Sequence, residues 1–397
     1  MPGLIGGRSE SEMNMTSIRE AIRRMFAQIE PLPAGTYHYM SPPSDPNNYR
    51  LHLRLEPDGA GLLIVNASTI LHLNRTAAEY AFYLVQNLPE QQAINNIVKR
   101  YRVSRAQAFQ DYRDFHDRIE TLISTPDLDP VTFLDFDRQT PFSGAVSAPY
   151  RLDCALTYRL PDVETPSAAP LDRVTRELST EEWKAVIDKA WTAGIPHVVF
   201  TGGEPTLRPD LAELIAHAES NDQVTGLISD GLALAEKDAL DRLLQTGLDH
   251  MMIVLRSEDE RSWKALQNAL DADLFVAVHL TITPESRDFI AGLLDRLSGM
   301  GVKAISLSAS DPSLAAVVDE AREKAANLHF ELVWNLPVPY SAVNPVSLEL
   351  EDQEQPDGAG RAWLYVEPDG DTLPAQGVNV VLGNMLTDPW DKIWKTG

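Results

Sequence analysis

The sequence predicts an α/β protein: a partial (β/α)6 barrel of the TIM type, preceded by a winged-helix-like domain of one β-hairpin and three helices, and followed by a second, shorter hairpin. Three observations carry this. Between Pro149 and about Leu336, short apolar runs alternate with helical segments about six times, the signature of a parallel sheet whose strands are covered on both faces. Before it, a strand pair with a tight turn leads into three stretches with helical spacing, and after it another strand pair surrounds an Asp-Gly turn. A chain of 397 residues, 44% hydrophobic and 23% charged, has room for two or three packed cores of this kind.

Taken in order, residues 1–47 read as a flexible arm, with one helix expected from Ser17 to about Ile29 and then a proline-rich loop from Pro31 to Pro46. Residues 48–124 form the small domain. Polar and apolar residues alternate from Arg50 to Glu56, Asp58-Gly59 turns the chain, and Gly61 to Asn66 returns it. Leu71, Leu73, Ala77, Tyr80, Ala81 and Leu84 then recur at helical spacing, and further helices are expected over Glu90 to Tyr101 and Ser104 to Ile123. Residues 125–147, with Pro126, Pro130, Pro141 and Gly144, read as a linker.

The barrel is assigned to residues 148–336. Its strands are expected at Leu152 to Tyr158, His197 to Thr201, Val224 to Ser229, Met251 to Arg256, Phe275 to Thr283, Ala304 to Ser308 and Phe330 to Trp334. Ser179 and Glu182 make a capping box at the first helix, and Asp311-Pro312 opens the last one. Repeated strand–helix units of this length close, or nearly close, into a barrel. Residues 337–397 hold an acidic loop, Glu349 to Glu354, the hairpin Ala362 to Thr372 with its Glu367-Pro368-Asp369-Gly370 turn, and a short helix near Trp390 to Trp394.

The formal net charge of −24 repels a polyphosphate backbone and argues against nucleic acid as a partner. No apolar run approaches the roughly 20 residues that span a bilayer, and the first residues lack a secretory layout, so a cytoplasmic protein is expected. The one cysteine, Cys154, excludes an internal disulfide and any metal site built from several thiolates of this chain.

The segment with most chemical content runs Val198-Val199-Phe200-Thr201-Gly202-Gly203-Glu204-Pro205-Thr206. Paired glycines at the carboxyl end of a barrel strand allow a ligand to approach bare backbone. With its neighbours the string resembles the Gly-Gly-Glu-Pro motif of the radical S-adenosylmethionine superfamily. Leu156-Thr157-Tyr158-Arg159 resembles that superfamily's first strand in its peptide-modifying branch, and Ser229-Asp230-Gly231 stands where Thr-Asn-Gly is usual. The resemblance implies a residual S-adenosylmethionine site at Gly202, Gly203, Glu204, Pro205 and Ser229. It also implies three cluster cysteines after the first strand, but the matching positions are Leu160, Glu164 and Ser167. Residues from about Asn48 to Ile123 resemble the PqqD-like peptide-recognition domain, which implies a leader peptide added to the edge of the 50–66 hairpin. The tail from Ala362 resembles a truncated SPASM extension, the auxiliary-cluster domain of peptide-maturing enzymes, with Ala375 where its first cysteine would stand.

The expectation drawn from these losses is a non-catalytic, cluster-less protein that binds a precursor peptide and scaffolds a maturation complex, with a radical maturase as partner. No metal site and no [4Fe-4S] cluster are expected, and S-adenosylmethionine is the one cofactor left open. The enzyme-class alternatives are an active peptide-modifying enzyme with atypical cluster ligands, such as Glu164 or a partner's cysteines, and a non-radical protein that binds S-adenosylmethionine. A pure assembly subunit is the third class. His279, on an expected strand, is read as a satisfied structural histidine.

Overall fold

The computed structural model describes residues 30–42, 44–66, 69–125, 146–161, 173–272, 274–334, 336–341 and 357–395. The expected helix at Ser17 to Ile29, most of the linker and the acidic loop at Glu349 to Glu354 lie outside the described residues.

The small domain is a four-stranded antiparallel sheet in the order β1 (Gly35–Met40), β2 (Arg50–Leu55), β3 (Gly61–Val65), β4 (Thr69–Leu73). Helices α1 (Arg75–Val85), α2 (Glu90–Arg100) and α3 (Arg105–Ser124) follow. Two expectations are corrected here. The proline-rich arm contains a strand: Gly35 to Met40 pairs with Leu55 to Arg50, and Tyr37 and Tyr39 point into the domain core. Leu71 and Leu73 belong to β4, where burial alternates with a period of two. The helix starts only at Arg75, because Asn74 caps it by accepting from the backbone N–H groups of Thr76 at 3.1 Å and Ala77 at 3.0 Å.

The large sheet has ten strands. Seven run parallel: β5 (Arg151–Thr157), β6 (His197–Gly202), β7 (Val224–Ser229), β8 (His250–Val254), β9 (Phe275–Ile282), β10 (Ala304–Ala309) and β11 (Glu331–Leu332). Each crossover carries a helix: α4 (Thr180–Ala193), α5 (Leu211–Ser220), α6 (Lys237–Leu244), α7 (Glu260–Leu270), α8 (Ile290–Gly299) and α9 (Ala315–Asn327). The capping box forms at α4, where Ser179 N–H donates to Glu182 at 2.9 Å. The sheet is open rather than closed, because β11 pairs only with β10 among the described residues. At its other end β12 (Trp363–Val366) pairs in parallel with β5, and β13 (Asp371–Leu373) and β14 (Gly383–Asn384) add antiparallel strands. The C-terminal hairpin thus extends the barrel sheet, and α10 (Trp390–Ile393) ends the described chain.

Strand alternation gives the sheet two buried faces. Leu152, Cys154, Leu156, Val198 and Phe200 pack outward against the helices, with Trp183 of α4 fully buried among them. Val199, Ile228, Met252, Ala277 and Ala304 form the inner layer, sealed by Val338. Each buried Val, Leu, Ile, Met or Phe among them contributes about 1.5–3 kcal/mol.

The small domain docks on the amino ends of the barrel strands. The Arg50 guanidinium donates to both Glu219 carboxylate oxygens at 2.8 Å, to Asp249 at 3.2 Å and to the Gln223 carbonyl at 3.0 Å. His38 lies 2.8 Å from Asp222. His52 is 3% exposed, sits edge-on to Trp191 of α4, and neither ring nitrogen has a hydrogen-bond partner. Burial, with His38 and Arg50 nearby, pushes its pKa down to about 3. Its neutral form is therefore favoured by folding, so its contribution is intact above about pH 6.5 and is lost as pH falls towards 3. From this group alone, acidification from pH 7 to 5 is expected to cost about 2 kcal/mol. A His52→Leu variant should melt higher at pH 7 and lose less stability at pH 5. Equal acid losses in both proteins would show that other groups carry the effect.

Candidate functional site

The carboxyl ends of β6 to β9 surround a cavity of about 720 Å3, at the opposite end of the barrel from the docked small domain. The Gly-Gly-Glu-Pro string forms its first wall. Gly202 is the last residue of β6, Gly203 lines the cavity, and Glu204 caps the 3-10 turn Pro205–Leu207. The glycines have a structural task that differs from bare approach by a ligand. A Cβ on Gly202 would lie 2.2 Å from the Thr157 carbonyl oxygen, and one on Gly203 would lie 2.3 Å from that of Arg159. Both are backbone atoms of the segment leaving β5, which accepts hydrogen bonds from Gly203 N–H at 2.7 Å and Glu204 N–H at 2.9 Å. The pair lets two chain segments touch, and so fixes where Glu204 stands.

Glu204 is 2% exposed and highly connected. Its Oε1 accepts from Thr206 N–H at 2.9 Å, the Thr206 hydroxyl at 2.5 Å and the Ser229 hydroxyl at 2.9 Å, while Oε2 accepts from Asp230 N–H at 2.8 Å. Ser229, the last residue of β7, therefore orients the acid. Burial, and after it the charge of Asp230, raise the Glu204 carboxyl to about 7 against the pull of those hydrogen bonds. Asp230 in turn accepts from Arg256 at 2.8 Å. Arg256, Glu258, Glu285 and Phe289 complete the lining on the loops after β8 and β9. The motif reading overlooked these four residues. Their position at the carboxyl ends of consecutive barrel strands was the available signal.

Of the three positions where cluster cysteines would stand, Leu160 lines the cavity, and Glu164 and Ser167 lie outside the described residues. Leucine has no ligand atom. Cys154 is fully buried in the layer between sheet and helices, facing away from the inner layer, and burial pushes its thiol up. Thiolates of this chain therefore do not fit a cubane in the cavity, which would need three of them. Ala375 is buried beside Trp363 in a small apolar cluster. His279 is buried on the inner face, with Nδ1 3.0 Å from the Ser306 hydroxyl and Nε2 3.1 Å from those of Thr281 and Ser308. Its bonding is satisfied, and burial drives its pKa down to about 3.

Residues 154–279, the β5 to β9 half of the barrel that carries this wall, match the family model of the radical SAM superfamily. The chain is similar to that superfamily over this segment. It is related to the PqqA peptide cyclase of Streptomyces rochei, 27% identical over 283 residues that make up 63% of this chain and 76% of that protein. The PqqA peptide cyclase of Granulibacter bethesdensis is 26% identical over 275 residues, 60% of this chain and 70% of the relative. Among solved structures, SuiB of Streptococcus suis bound to S-adenosylmethionine superposes with a TM-score of 0.57 at 15% identity, covering 90% of this chain and 88% of SuiB. SuiB bound to its precursor peptide SuiA gives 0.58 at 16% identity over the same shares. At these identities the superpositions speak for the fold.

Two expectations are overturned by this kinship. A non-catalytic scaffold was inferred from missing thiols, yet the curated relatives are peptide cyclases, which are enzymes. From the same count no cluster was expected and S-adenosylmethionine was only left open, yet the superfamily works with S-adenosylmethionine and a [4Fe-4S] cluster. The inference failed because one donor set was allowed to stand for the whole site. A third expectation is corrected by geometry: the 50–66 hairpin has no free edge, since β1 covers β2 and β4 covers β3. No helix among the described residues is long and apolar enough to cross a membrane.

Proposed function

We propose that the protein is a peptide-modifying enzyme of the radical SAM superfamily that uses S-adenosylmethionine in the β6–β9 cavity. The observation that carries this reading is the relation to peptide cyclases over 63% of the chain, joined to a cavity whose chemistry suits that ligand. S-adenosylmethionine brings a sulfonium and an ammonium. The side formed by the Gly-Gly-Glu-Pro wall offers Glu204 and Asp230 against one cation, Arg256, already paired with Asp230. A volume of 720 Å3 lies within the roughly 300–1,000 Å3 of small-molecule sites. In this reading Glu204, backed by Gly202, Gly203 and Pro205 and oriented by Ser229, faces the methionyl ammonium. The small domain serves as a PqqD-like recogniser of the precursor peptide. Because both hairpin edges are covered, the peptide adds to an outer strand of the four-stranded sheet, β1 or β4. The C-terminal hairpin is a SPASM-like extension of the barrel.

Any cubane bound by the protein takes donors from elsewhere than thiolates of this chain: oxygen ligands, or cysteines of a partner maturase. The donor chemistry also favours a second reading, S-adenosylmethionine-dependent modification of the peptide without a radical. One experiment separates them. The protein, reconstituted anaerobically with iron and sulfide, is incubated with S-adenosylmethionine and a candidate precursor peptide, with and without a cysteine-complete homologue. 5′-Deoxyadenosine together with a mass change in the peptide supports the radical reading, and S-adenosylhomocysteine supports the second. An unmodified peptide and intact nucleotide in all arms would refute both.

The raised Glu204 carboxyl gives this reading a pH signature. An ammonium is held by the charged carboxylate, so affinity is full well above pH 7 and declines through pH 7 as Glu204 gains a proton. Lowering pH from 7.5 to 6 should weaken S-adenosylmethionine binding about eightfold, and Glu204→Gln should bind weakly at both values. Flat affinity in the native protein would place the ammonium elsewhere.

A further inference from the structure

The cavity has two chemically distinct sides, and the second one carries no part of the Gly-Gly-Glu-Pro wall. It is built by the loop after β9 and the first turns of α8. Phe289, Ile290 and Leu293 line it, and Phe289 is 68% exposed at the lip. Phe289 leaves an apolar ring at the lip, continuous with Ile290 and Leu293 inside the cavity. Two carboxylates stand on the neighbouring loops, Glu258 after β8 and Glu285 after β9. Neither has an ion-pair partner among the described residues: Glu258 accepts only from the Ser257 hydroxyl, and Glu285 is held by the hydroxyl of Thr283 and its own backbone. The chain as a whole carries −24, which adds a long-range attraction for cations.

We infer that the β9–α8 side of the cavity is the seat of the substrate peptide, taking an apolar side chain against Phe289, Ile290 and Leu293 while a flanking lysine or arginine meets Glu258 and Glu285. This deepens the peptide-directed reading above and rests on it. An apolar rim alone would accept many ligands. The pair of unmatched acids beside it selects a basic peptide, and an exposed ring can also lie against the cation. Phe289, Glu258 and Glu285 are specificity-determining residues on this account, and an acidic peptide is excluded by repulsion.

Fluorescence anisotropy on the full-length protein tests it, with labelled synthetic peptides whose cores are Lys-Leu-Lys, Glu-Leu-Glu and Lys-Ser-Lys. The lysine-flanked leucine peptide should bind about five- to tenfold more tightly than the glutamate-flanked one at low salt, and the gap should shrink at high salt. In the Glu258→Gln, Glu285→Gln double variant that gap should close, and Phe289→Ala should close the gap between the leucine and serine peptides. Equal affinities in the native protein would overturn the inference. So would a charge preference that survives in the double variant, since it would then come from the overall charge. Calorimetric titration of S-adenosylmethionine into the same sample keeps the two readings apart. Nucleotide binding without peptide preference rejects only this inference, whereas absent nucleotide binding rejects the cofactor reading.

Discussion

Gly202→Ala is expected to destabilise the protein by about 3–5 kcal/mol and to abolish S-adenosylmethionine binding in whatever fraction stays folded. Two penalties coincide. Gly202 has φ of 125°, a region that side-chain-bearing residues rarely adopt, and the added methyl would lie 2.2 Å from the Thr157 carbonyl oxygen. The obstructing atom is backbone within a parallel sheet, so no rotamer change relieves it. Relief requires the segment Thr157 to Leu160 to move away from β6, which breaks the bonds from Gly203 and Glu204 and displaces the acid from Ser229. Gly203→Ala should behave similarly, with its methyl 2.3 Å from the Arg159 carbonyl oxygen. Gly292→Ala is the contrasting control. It lies inside α8 with nothing within 4 Å of an added methyl, and should raise stability by about 0.5–1 kcal/mol. Urea denaturation of the three variants measures all of this. A Gly202→Ala protein as stable as the native one would show that the β5 exit segment moves freely.

Arg50→Ala should have the second largest effect, about 3–5 kcal/mol on the docking of the small domain. The guanidinium binds two carboxylates and one carbonyl, and its side chain is 14% exposed. Burial already raises the carboxyls of Glu219 and Asp249, and Arg50 is the charge that opposes this. Removing it leaves two half-buried acids facing each other across a domain boundary. The expected outcome is a separate, earlier melting transition and rapid proteolysis near the domain junction, with the barrel transition little changed. A single unaltered transition would mean that Arg54, which donates to the Gly194 carbonyl at 3.3 Å, and the apolar contacts hold the domain alone. The consequence reaches function: the small domain and the cavity sit at opposite ends of the barrel, so a recognised peptide must pass along the barrel's height, and undocking removes that fixed span.

The parallel strands were legible because residues such as Val198 to Phe200 are covered on both faces and read as unbroken apolar runs. The α4 capping box was legible because both partners lie within four residues. β1 was not, since Gly35 to Met40 has no strong apolar residue on its barrel-facing side and lies between prolines; only the Tyr37 and Tyr39 alternation hinted at a strand. The open sheet with β12 beside β5 depends on a pairing about two hundred residues apart in sequence, which no local pattern encodes. In the site, the Gly-Gly-Glu-Pro wall was found from its string, but the reason for its glycines was not, because the obstructing carbonyls belong to a different strand. Arg256, Glu258, Glu285 and Phe289 come from separate loops with no shared motif. The single cysteine was counted correctly but made to decide too much: it describes one set of possible iron ligands, and says nothing about the anionic cavity beside it.

Calorimetric titration of S-adenosylmethionine into the purified full-length protein at pH 7.5 tests the central claim most directly. The account predicts one site of micromolar affinity that weakens at pH 6 and is weak at both pH values in Glu204→Gln. A folded native protein that releases no binding heat across that titration would contradict it.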